Sequence, residues 1–180
     1  MNEEKSIPKF LHSSDPLSDQ AANYLLDFRE EDALVDFKLT FNFGNEKDWL
    51  ELTKDVMAFA NAQGGYIVFG VQNGTFEPIG LDKAVVTELT DTNKLMQKIN
   101  RFLEPEIPTL RSKSFVRENK YYVILFIPES IGITHMISKD GFFNLPSGEK
   151  KIVLRQGTFY LRRSAGNHLA DPREDRKSVV

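Results

Sequence analysis

The sequence contains no cysteine among its 180 residues, and it has only three histidines. Without thiols the chain can form neither a disulfide framework nor a cysteine-bound zinc site, so we expect a cytoplasmic protein. The histidines His12, His135 and His168 lack the spacing that zinc sites use. We interpret His135 as a hydrogen-bonded packing residue, because a lone histidine on a strand more often packs than binds a ligand.

The sequence also lacks a long hydrophobic run and a secretory start. Its apolar runs are far shorter than the roughly 20 residues that a membrane-spanning helix needs. The first residues are polar and mixed in charge, unlike those of a signal peptide, so we expect neither secretion nor a membrane partner. With 41% hydrophobic and 27% charged residues, the composition is typical of a globular domain.

Glycine is present but does not form a phosphate-binding loop. Gly64-Gly65 follows a helical pattern and precedes a strand, whereas a phosphate cradle places its glycines between a strand and a helix N-terminus. No Gly-Lys-Ser or Gly-Lys-Thr sequence occurs, and there is no nucleophile elbow. The sequence therefore indicates neither a nucleotide site of this kind nor an ester hydrolase.

The net charge of −3 conceals a strong asymmetry along the chain. Residues 1–90 carry 7 basic and 16 acidic side chains, whereas residues 91–180 carry 16 basic and 10 acidic ones. Such segregation is typical of a polyanion-binding surface, but it also arises by chance in many domains. Because halves of a sequence need not be halves of a structure, charge alone leaves both interpretations open.

The stretch from Asp55 to Val71 organises the chain. Apolar residues recur at helical spacing up to Ala60, and we expect Gly64-Gly65 to end the helix by adopting positive φ angles. Residues 66–71 form a continuous apolar run, which predicts a strand buried on both faces. The following Asn73-Gly74 predicts a tight turn, with a return strand over residues 75–81 near a sheet edge.

Further elements are predicted on both sides of this stretch. Residues 34–41 alternate between apolar and polar, which predicts a half-exposed strand that presents Asp36 and Lys38 side by side. Ser18-Asp19 and Asp91 are candidate caps for two more helices. The remaining predicted elements are hairpins over residues 114–127 and 142–156, a short strand over 134–138 and a last strand over 157–164.

The chain is predicted to form one domain with short flanking segments. We interpret residues 1–18 as an extended N-terminal arm, residues 19–170 as the domain, and residues 171–180 as a charged tail or the start of a linker. The charged ending favours an N-terminal piece of a longer protein over a complete one.

The order of several motifs resembles the Schlafen (AlbA-like) domain. The motifs are Glu31 and Asp36 around a strand start with Phe37-Lys38, the block Ala58-Phe59-Ala60-Asn61-Ala62-Gln63-Gly64-Gly65 with its strand ending in Phe69-Gly70-Val71, and the block Phe159-Tyr160-Leu161-Arg162-Arg163-Ser164-Ala165-Gly166. The resemblance covers most of the chain, roughly residues 20–170. It implies an α+β domain, a mixed β-sheet with flanking helices, that binds nucleic acid, and family members often form homo-oligomers.

The resemblance also implies a candidate active site. Vertebrate members of the family include endoribonucleases that cut tRNA-like RNA with three carboxylates and a divalent metal, and bacterial relatives occur in anti-phage defence and in DNA-binding regulators. Two of the carboxylate positions map onto Glu31 and Asp36, the candidate ligands of Mg²⁺ or Mn²⁺. At the third position this chain has Gln72-Asn73, and a neutral amide is a poor ligand for such an ion. Glu77 or Asp82 is a candidate replacement.

Lys38 is the third candidate catalytic residue. On the same strand face as Asp36, it could stabilise negative charge that develops on a phosphate during cleavage. In the alternative interpretation, Glu31 belongs to a solvated acidic segment, and Asp36 and Lys38 form a surface ion pair of little energetic value.

The candidate nucleic-acid-binding residues are basic and lie late in the chain: Lys150, Lys151, Arg155, Arg162 and Arg163. Contacts from such residues to phosphates give affinity that is independent of sequence and weakens with salt. We expect a nucleic-acid-binding module, for RNA or DNA, of a defence or regulatory protein. The alternatives are a metal-dependent endonuclease and a module for protein interaction or oligomerisation.

Overall fold

The structure is a computed structural model, and it describes residues 6–170. Its helices are α1 (Ile7–Leu11), α2 (Asp19–Asp27), α3 (Glu46–Ala60), α4 (Lys83–Thr90) and α5 (Thr92–Asn100). Its strands are β1 (Val35–Lys38), β2 (Gly65–Phe69), β3 (Leu103–Glu104), β4 (Arg111–Arg117), β5 (Lys120–Ile127), β6 (Met136–Ile137), β7 (Gly141–Asn144), β8 (Lys150–Leu154), β9 (Tyr160–Arg163) and β10 (Gly166–Leu169). No helix within these residues is long and apolar enough to cross a membrane.

Four strands form the central sheet in the order β1-β2-β5-β4. The parallel strands β1 and β2 are joined through α3, whereas the β2–β5 and β5–β4 pairs are antiparallel. The inner strand β2 is completely buried from Tyr66 to Phe69, which confirms the predicted strand with two buried faces. The shorter strands pair as β3-β6, β7-β8 and β9-β10, so the fold class is α+β with a mixed sheet, as predicted.

Hydrophobic clusters cover both faces of the central sheet. On one face, Phe37 and Tyr66 pack with residues of α1 and α2. On the other face, Ile67 packs with residues of α3 and α5. Side chains alternate between the faces of a strand, so β1 directs Asp36 and Lys38 toward the α3 side. The polar residues of β1 are thereby placed beside a helix.

Close packing explains the glycine pair after α3. The helix ends at Ala60, and Gly64 has a φ of +74° with its missing Cβ only 2.6 Å from the Ile127 carbonyl oxygen. Gly65 lies outside the left-handed region, and a Cβ there would lie 2.5 Å from the Phe59 ring. The prediction of positive φ angles is therefore correct for Gly64 and wrong for Gly65. Glycine is needed at position 65 because a side chain there would clash with Phe59 of α3.

Several helix caps and hairpins match the sequence predictions. The Ser18 hydroxyl accepts a backbone N–H bond at the start of α2, and the Asp91 carboxylate does so at the start of α5. Glu118 and Asn119 join β4 to β5 with positive φ angles, as a tight hairpin turn requires. The long hairpin predicted over residues 142–156 is formed by β7 and β8.

Within residues 6–18, the N-terminal segment differs from the extended arm predicted over residues 1–18, and residues 1–5 lie outside the described part of the chain. Residues Ile7–Leu11 form the short helix α1, and Phe10 and Leu17 are buried in the same hydrophobic cluster as β1. A single helical turn is too short to show a clear periodicity in the sequence. The charged tail predicted over residues 171–180 lies outside the described residues.

The return strand predicted over residues 75–81 is wrong. Isolated bridges join Val71 to Pro78 and Leu81 to Tyr121, and β2 instead pairs with β1 and β5. Proline lacks the N–H that a continued ladder needs, so the chain leaves the sheet and enters α4, a helix that the sequence analysis did not predict.

Two predictions about polar strands are corrected. The strand predicted over residues 157–164 corresponds to β9, but it is not the last strand, because β10 follows and pairs with it. The strand predicted over residues 34–41 is not half-exposed: Asp36 of β1 retains only 8% of its exposure. Alternation in a sequence shows which residues share a face, but it cannot show which later segment covers that face.

Candidate functional site

Six polar side chains meet between β1, α3 and the β9–β10 hairpin. We call this group the ionic cluster; its members are Glu31, Asp36, Lys38, Asp55, Arg162 and Asn167. The three predicted catalytic residues therefore lie together, and a predicted binding residue, Arg162, joins them. The group combines three carboxylates with two cations.

The Lys38 ammonium bridges two carboxylates of the ionic cluster. Its Nζ lies 3.0 Å from Asp36 Oδ2 and 2.7 Å from Asp55 Oδ2. Burial acts to lower the pKa of Lys38, but the carboxylates of Asp55 and Asp36 outweigh burial, and the net shift of this pKa is upward. Lys38 is therefore held in its charged form between the two acids.

The Arg162 guanidinium points into the protein, and its side chain is only 2% exposed. It donates hydrogen bonds to Asp36 Oδ1 at 3.3 Å and to the carbonyl oxygens of Val35 and Asp32 at 3.2 and 3.3 Å. The guanidinium carbon Cζ also lies over the Phe59 ring, 4.8 Å from its centroid. In this structure Arg162 ties β9 to β1, and its predicted contact with nucleic acid stays a prediction.

Asp55 and Asn167 complete the ionic cluster, and the sequence analysis did not identify them. The Asn167 side-chain amide donates to Asp55 Oδ1, which ties β10 to α3. The sequence holds one signal for Asp55, because this acid lies on the apolar face of a helix between the buried Leu52 and Val56. Asn167 has no comparable signal, since β10 itself was not predicted.

Burial changes the acidity of two carboxyl groups in the cluster. Burial raises the pKa of Asp55; Lys38 opposes this shift, and Asp36 adds to it. Burial also raises the pKa of Glu31, Asp36 adds to the shift, and a backbone N–H bond to Glu31 Oε1 opposes it. Three crowded acids with two cations leave the cluster with a formal excess of one negative charge when all are ionised.

The ionic cluster as it stands does not fit a divalent cation. Mg²⁺ and Mn²⁺ need oxygen ligands, whereas the two Asp36 oxygens face the nitrogens of Arg162 and Lys38. The Lys38 ammonium lies where a cation bridging Asp36 and Asp55 would lie. Within residues 6–170, no group of three or more histidine, aspartate or glutamate side chains is placed to hold a metal ion. The metal site at Glu31 and Asp36 stays a prediction.

A pocket of about 250 Å³ opens beside Lys38. Its other polar lining residues are Thr40, Asp48, Glu51 and Asn73. Asn73, one of the two residues at the position of the missing third acid, therefore lines the same pocket as Lys38. The candidate replacements Glu77 and Asp82 are exposed and do not line this pocket.

Four of the five predicted nucleic-acid-binding cations are exposed. We call them the basic surface: Lys150 and Lys151 at the start of β8, Arg155 directly after it, and Arg163 at the end of β9. Both strands pack against α3. The ionic cluster holds β9 in place through Arg162, the buried residue that precedes Arg163.

His135 is buried and hydrogen-bonded at both ring nitrogens. Its Nδ1 lies 2.7 Å from the Pro105 carbonyl oxygen, and its Nε2 lies 2.7 Å from Ser130 Oγ. Because a carbonyl can only accept, Nδ1 carries a proton and donates to the Pro105 carbonyl, and Nε2 shares a hydrogen bond with the Ser130 hydroxyl. The Asn61 side chain pairs with the His135 backbone. These contacts confirm the interpretation of His135 as a packing residue.

Comparison with known proteins places most of the chain in one family of sequences. A family model described as Schlafen, AlbA_2 matches residues 31–171. An uncharacterized ATP-binding protein of Ureaplasma parvum serovar 3 is 34% identical over 77 residues. This match covers 43% of the chain and 21% of the relative, so it spans about a fifth of the length of that curated relative.

Two solved structures resemble the fold. The DIP2311 protein from Corynebacterium diphtheriae matches with a TM-score of 0.51 and 14% identity, over 80% of this chain and 23% of that one. The N-terminal domain of a RecG-related protein from Nitrosomonas europaea gives a TM-score of 0.39 and 22% identity, over 61% of this chain and 73% of that one. The first likeness shows the fold alone, and the second is too distant to add to it.

Proposed function

The chain belongs to the Schlafen, AlbA_2 family, and from this premise we propose that it binds nucleic acid through the basic surface on β8 and β9. The observation that carries the proposal is the exposure of Lys150, Lys151, Arg155 and Arg163 on or directly beside β8 and β9, two strands that both pack against α3. Exposed lysine and arginine side chains bind phosphates without reading sequence.

The ionic cluster supports the proposal as a scaffold. Arg162 and Asn167 fasten β9 and β10 to the sheet and to α3, so Arg163 at the end of β9 is presented from a segment that is held by buried polar contacts. Rigid presentation lowers the entropic cost of binding, because fewer backbone conformations are lost when a ligand arrives.

Metal-dependent cleavage is a separate prediction that the same assay tests. Glu31 and Asp36 would be the ligands of the metal ion. However, both Asp36 oxygens are engaged by cationic side chains, those of Lys38 and Arg162. Cleavage would therefore require these ion pairs to rearrange, and we propose binding as the activity of this chain.

A gel-shift assay with transfer RNA and with duplex DNA tests the proposal, each with and without Mn²⁺. We expect a shifted band with at least one of them, no metal requirement, and intact nucleic acid after incubation. Cleavage that depends on Mn²⁺ and is lost in Asp36→Ala would establish the endonuclease instead. No shift and no cleavage would overturn the proposal and favour a module for protein interaction.

A further inference from the structure

The β7–β8 hairpin has one packed face and one open face. Phe143 and Leu154 pack against the hydrophobic core beside α3. Phe142 precedes Phe143 in the strand and so points the opposite way, where it is paired across the hairpin with Ile152. Phe142 is 41% exposed and Ile152 is 40% exposed. A hairpin that packs on one face ordinarily carries polar residues on the other, so this outward apolar pair is unusual.

A lysine lies directly against the exposed ring. The Nζ atom of Lys150 is 4.4 Å from the centroid of the Phe142 ring. Lys150 pairs with Asn144 in the same register and on the same side as the Phe142–Ile152 pair. The open face therefore presents an aromatic ring, an aliphatic side chain, an amide and a cation within four neighbouring positions.

The charge around this face favours an anionic occupant. Residues 139–155 contain four cations, Lys139, Lys150, Lys151 and Arg155, and two acids, Asp140 and Glu149. Asp140 accepts a hydrogen bond from the backbone N–H of Gln156, which engages one of the two acids locally. An aromatic ring with a cation against it suits a ligand that alternates flat rings with phosphates.

We propose that Phe142 stacks on an unpaired base of a single-stranded nucleic acid while Lys150, on the same face of the hairpin, contacts the phosphate beside that base. This inference rests on the proposed nucleic-acid binding and adds to it a preference for single strands. In a duplex, both faces of each internal base are covered by neighbouring base pairs, so no internal base is free to stack on Phe142. Only the cations would then contribute, and they would do so equally for any duplex.

Fluorescence anisotropy with two labelled RNAs of equal length, an unstructured single strand and a blunt duplex, tests this inference. We expect Phe142→Ala to weaken single-strand binding about tenfold, the effect typical of one stacked base, with little change for the duplex. Phe142→Tyr should restore single-strand binding because it keeps the ring, and Phe142→Leu should not. Ile131→Ala is the matched control, since Ile131 is 84% exposed and lies outside the hairpin. Thermal unfolding of each variant checks that the fold is retained.

Three outcomes would overturn the inference. Unchanged affinity in Phe142→Leu would show that the site recognises apolar surface rather than an aromatic ring, as a protein partner would. Equal weakening of single-strand and duplex binding in Phe142→Ala would remove the preference for unpaired bases while leaving the proposed function intact. Failure of the wild type to bind either RNA or DNA would remove the proposed function itself, and this inference with it.

Discussion

A charged guanidinium is stable inside this fold because its polar edge and its flat face both meet partners. Arg162 donates to the Asp36 carboxylate and to backbone oxygens, and its plane lies over Phe59. A buried charge costs several kcal/mol when it is left unpaired, whereas removing one member of a buried pair transfers that cost to the other. Removing Arg162 would therefore leave Asp36 with part of that cost.

Replacing Arg162 should destabilise the protein far more than replacing its exposed neighbour. In Arg162→Met, Asp36 keeps only Lys38 as a cationic partner, so we expect the free energy of unfolding to fall by about 3–5 kcal/mol. Arg163→Met is the matched control, with an expected loss below about 1 kcal/mol because Arg163 is exposed. Urea denaturation measures both, and similar small losses in the two variants would contradict an internal role for Arg162.

The buried phenol of Tyr66 predicts a loss of stability at alkaline pH. Tyr66 is completely buried, its hydroxyl donates to the Pro16 carbonyl oxygen at 2.8 Å, and burial raises its pKa above the ordinary value of 10.0. Above that pH the unfolded chain loses the proton while the folded chain keeps it. The free energy of unfolding should therefore fall by about 1.4 kcal/mol per pH unit from this group alone, until the pH reaches the folded pKa.

Tyr66→Phe isolates this contribution. At neutral pH we expect the variant to be less stable by about 1 kcal/mol, because the Pro16 carbonyl loses its donor. As the pH rises past 10.0, the stability of the wild type should approach and then fall below that of the variant. Urea denaturation across this range compares the two proteins. Parallel pH profiles would show that Tyr66 does not titrate differently in the folded and unfolded states.

At the scale of elements, α1 is part of the core rather than an arm. Its buried residues are Ile7, Phe10 and Leu11. The centroid of the Phe10 ring lies 5.5 Å from the centroid of the Tyr24 ring on α2. Burial of large apolar side chains is the main source of stability in a domain of this size. The first described residues therefore contribute to folding.

Phe10→Ala should lower the free energy of unfolding by about 3 kcal/mol, the low end for a buried phenylalanine, because the cavity lies near the surface. His12→Ala, at an exposed position next to the same helix, should change it by less than about 0.5 kcal/mol. Chemical denaturation compares the two variants. If Phe10→Ala loses no more stability than His12→Ala, α1 is not part of the core, and the extended arm predicted from the sequence is the better description of this segment.

The sequence predicts elements whose signal is local and misses those that depend on distant partners. The buried strand β2 and the Glu118-Asn119 hairpin follow from composition and turn chemistry within a few residues. The burial of Asp36 depends on Arg162, which lies more than a hundred residues later. No sequence pattern around Asp36 predicts that pairing. The site was therefore predicted in part: Glu31, Asp36 and Lys38 do lie together, but Asp55 and Asn167 were missed.

At the scale of the whole molecule, folding pairs several cations of the basic half of the sequence with acids of the acidic half. Within residues 6–170, five ion pairs join a cation of the basic half to an acid of the acidic half: Lys94–Glu88, Arg101–Glu46, Lys113–Asp19, Arg117–Asp27 and Arg162–Asp36. The two halves of the sequence are therefore interleaved in space. The exposed cations of the basic surface, rather than the overall excess in the second half, are what a polyanion would meet.

The most direct test of nucleic-acid binding is the salt dependence of its affinity. The slope of log affinity against log salt concentration should be clearly negative for the wild type, and Lys150→Glu with Lys151→Glu should reduce its magnitude by roughly 1.4–1.8, two phosphate contacts. Arg111→Glu with Lys113→Glu is the matched control, because β4 forms the sheet edge opposite β1, and its slope should match the wild type. A flat wild-type slope, or equal reductions in both double variants, would contradict binding through the basic surface.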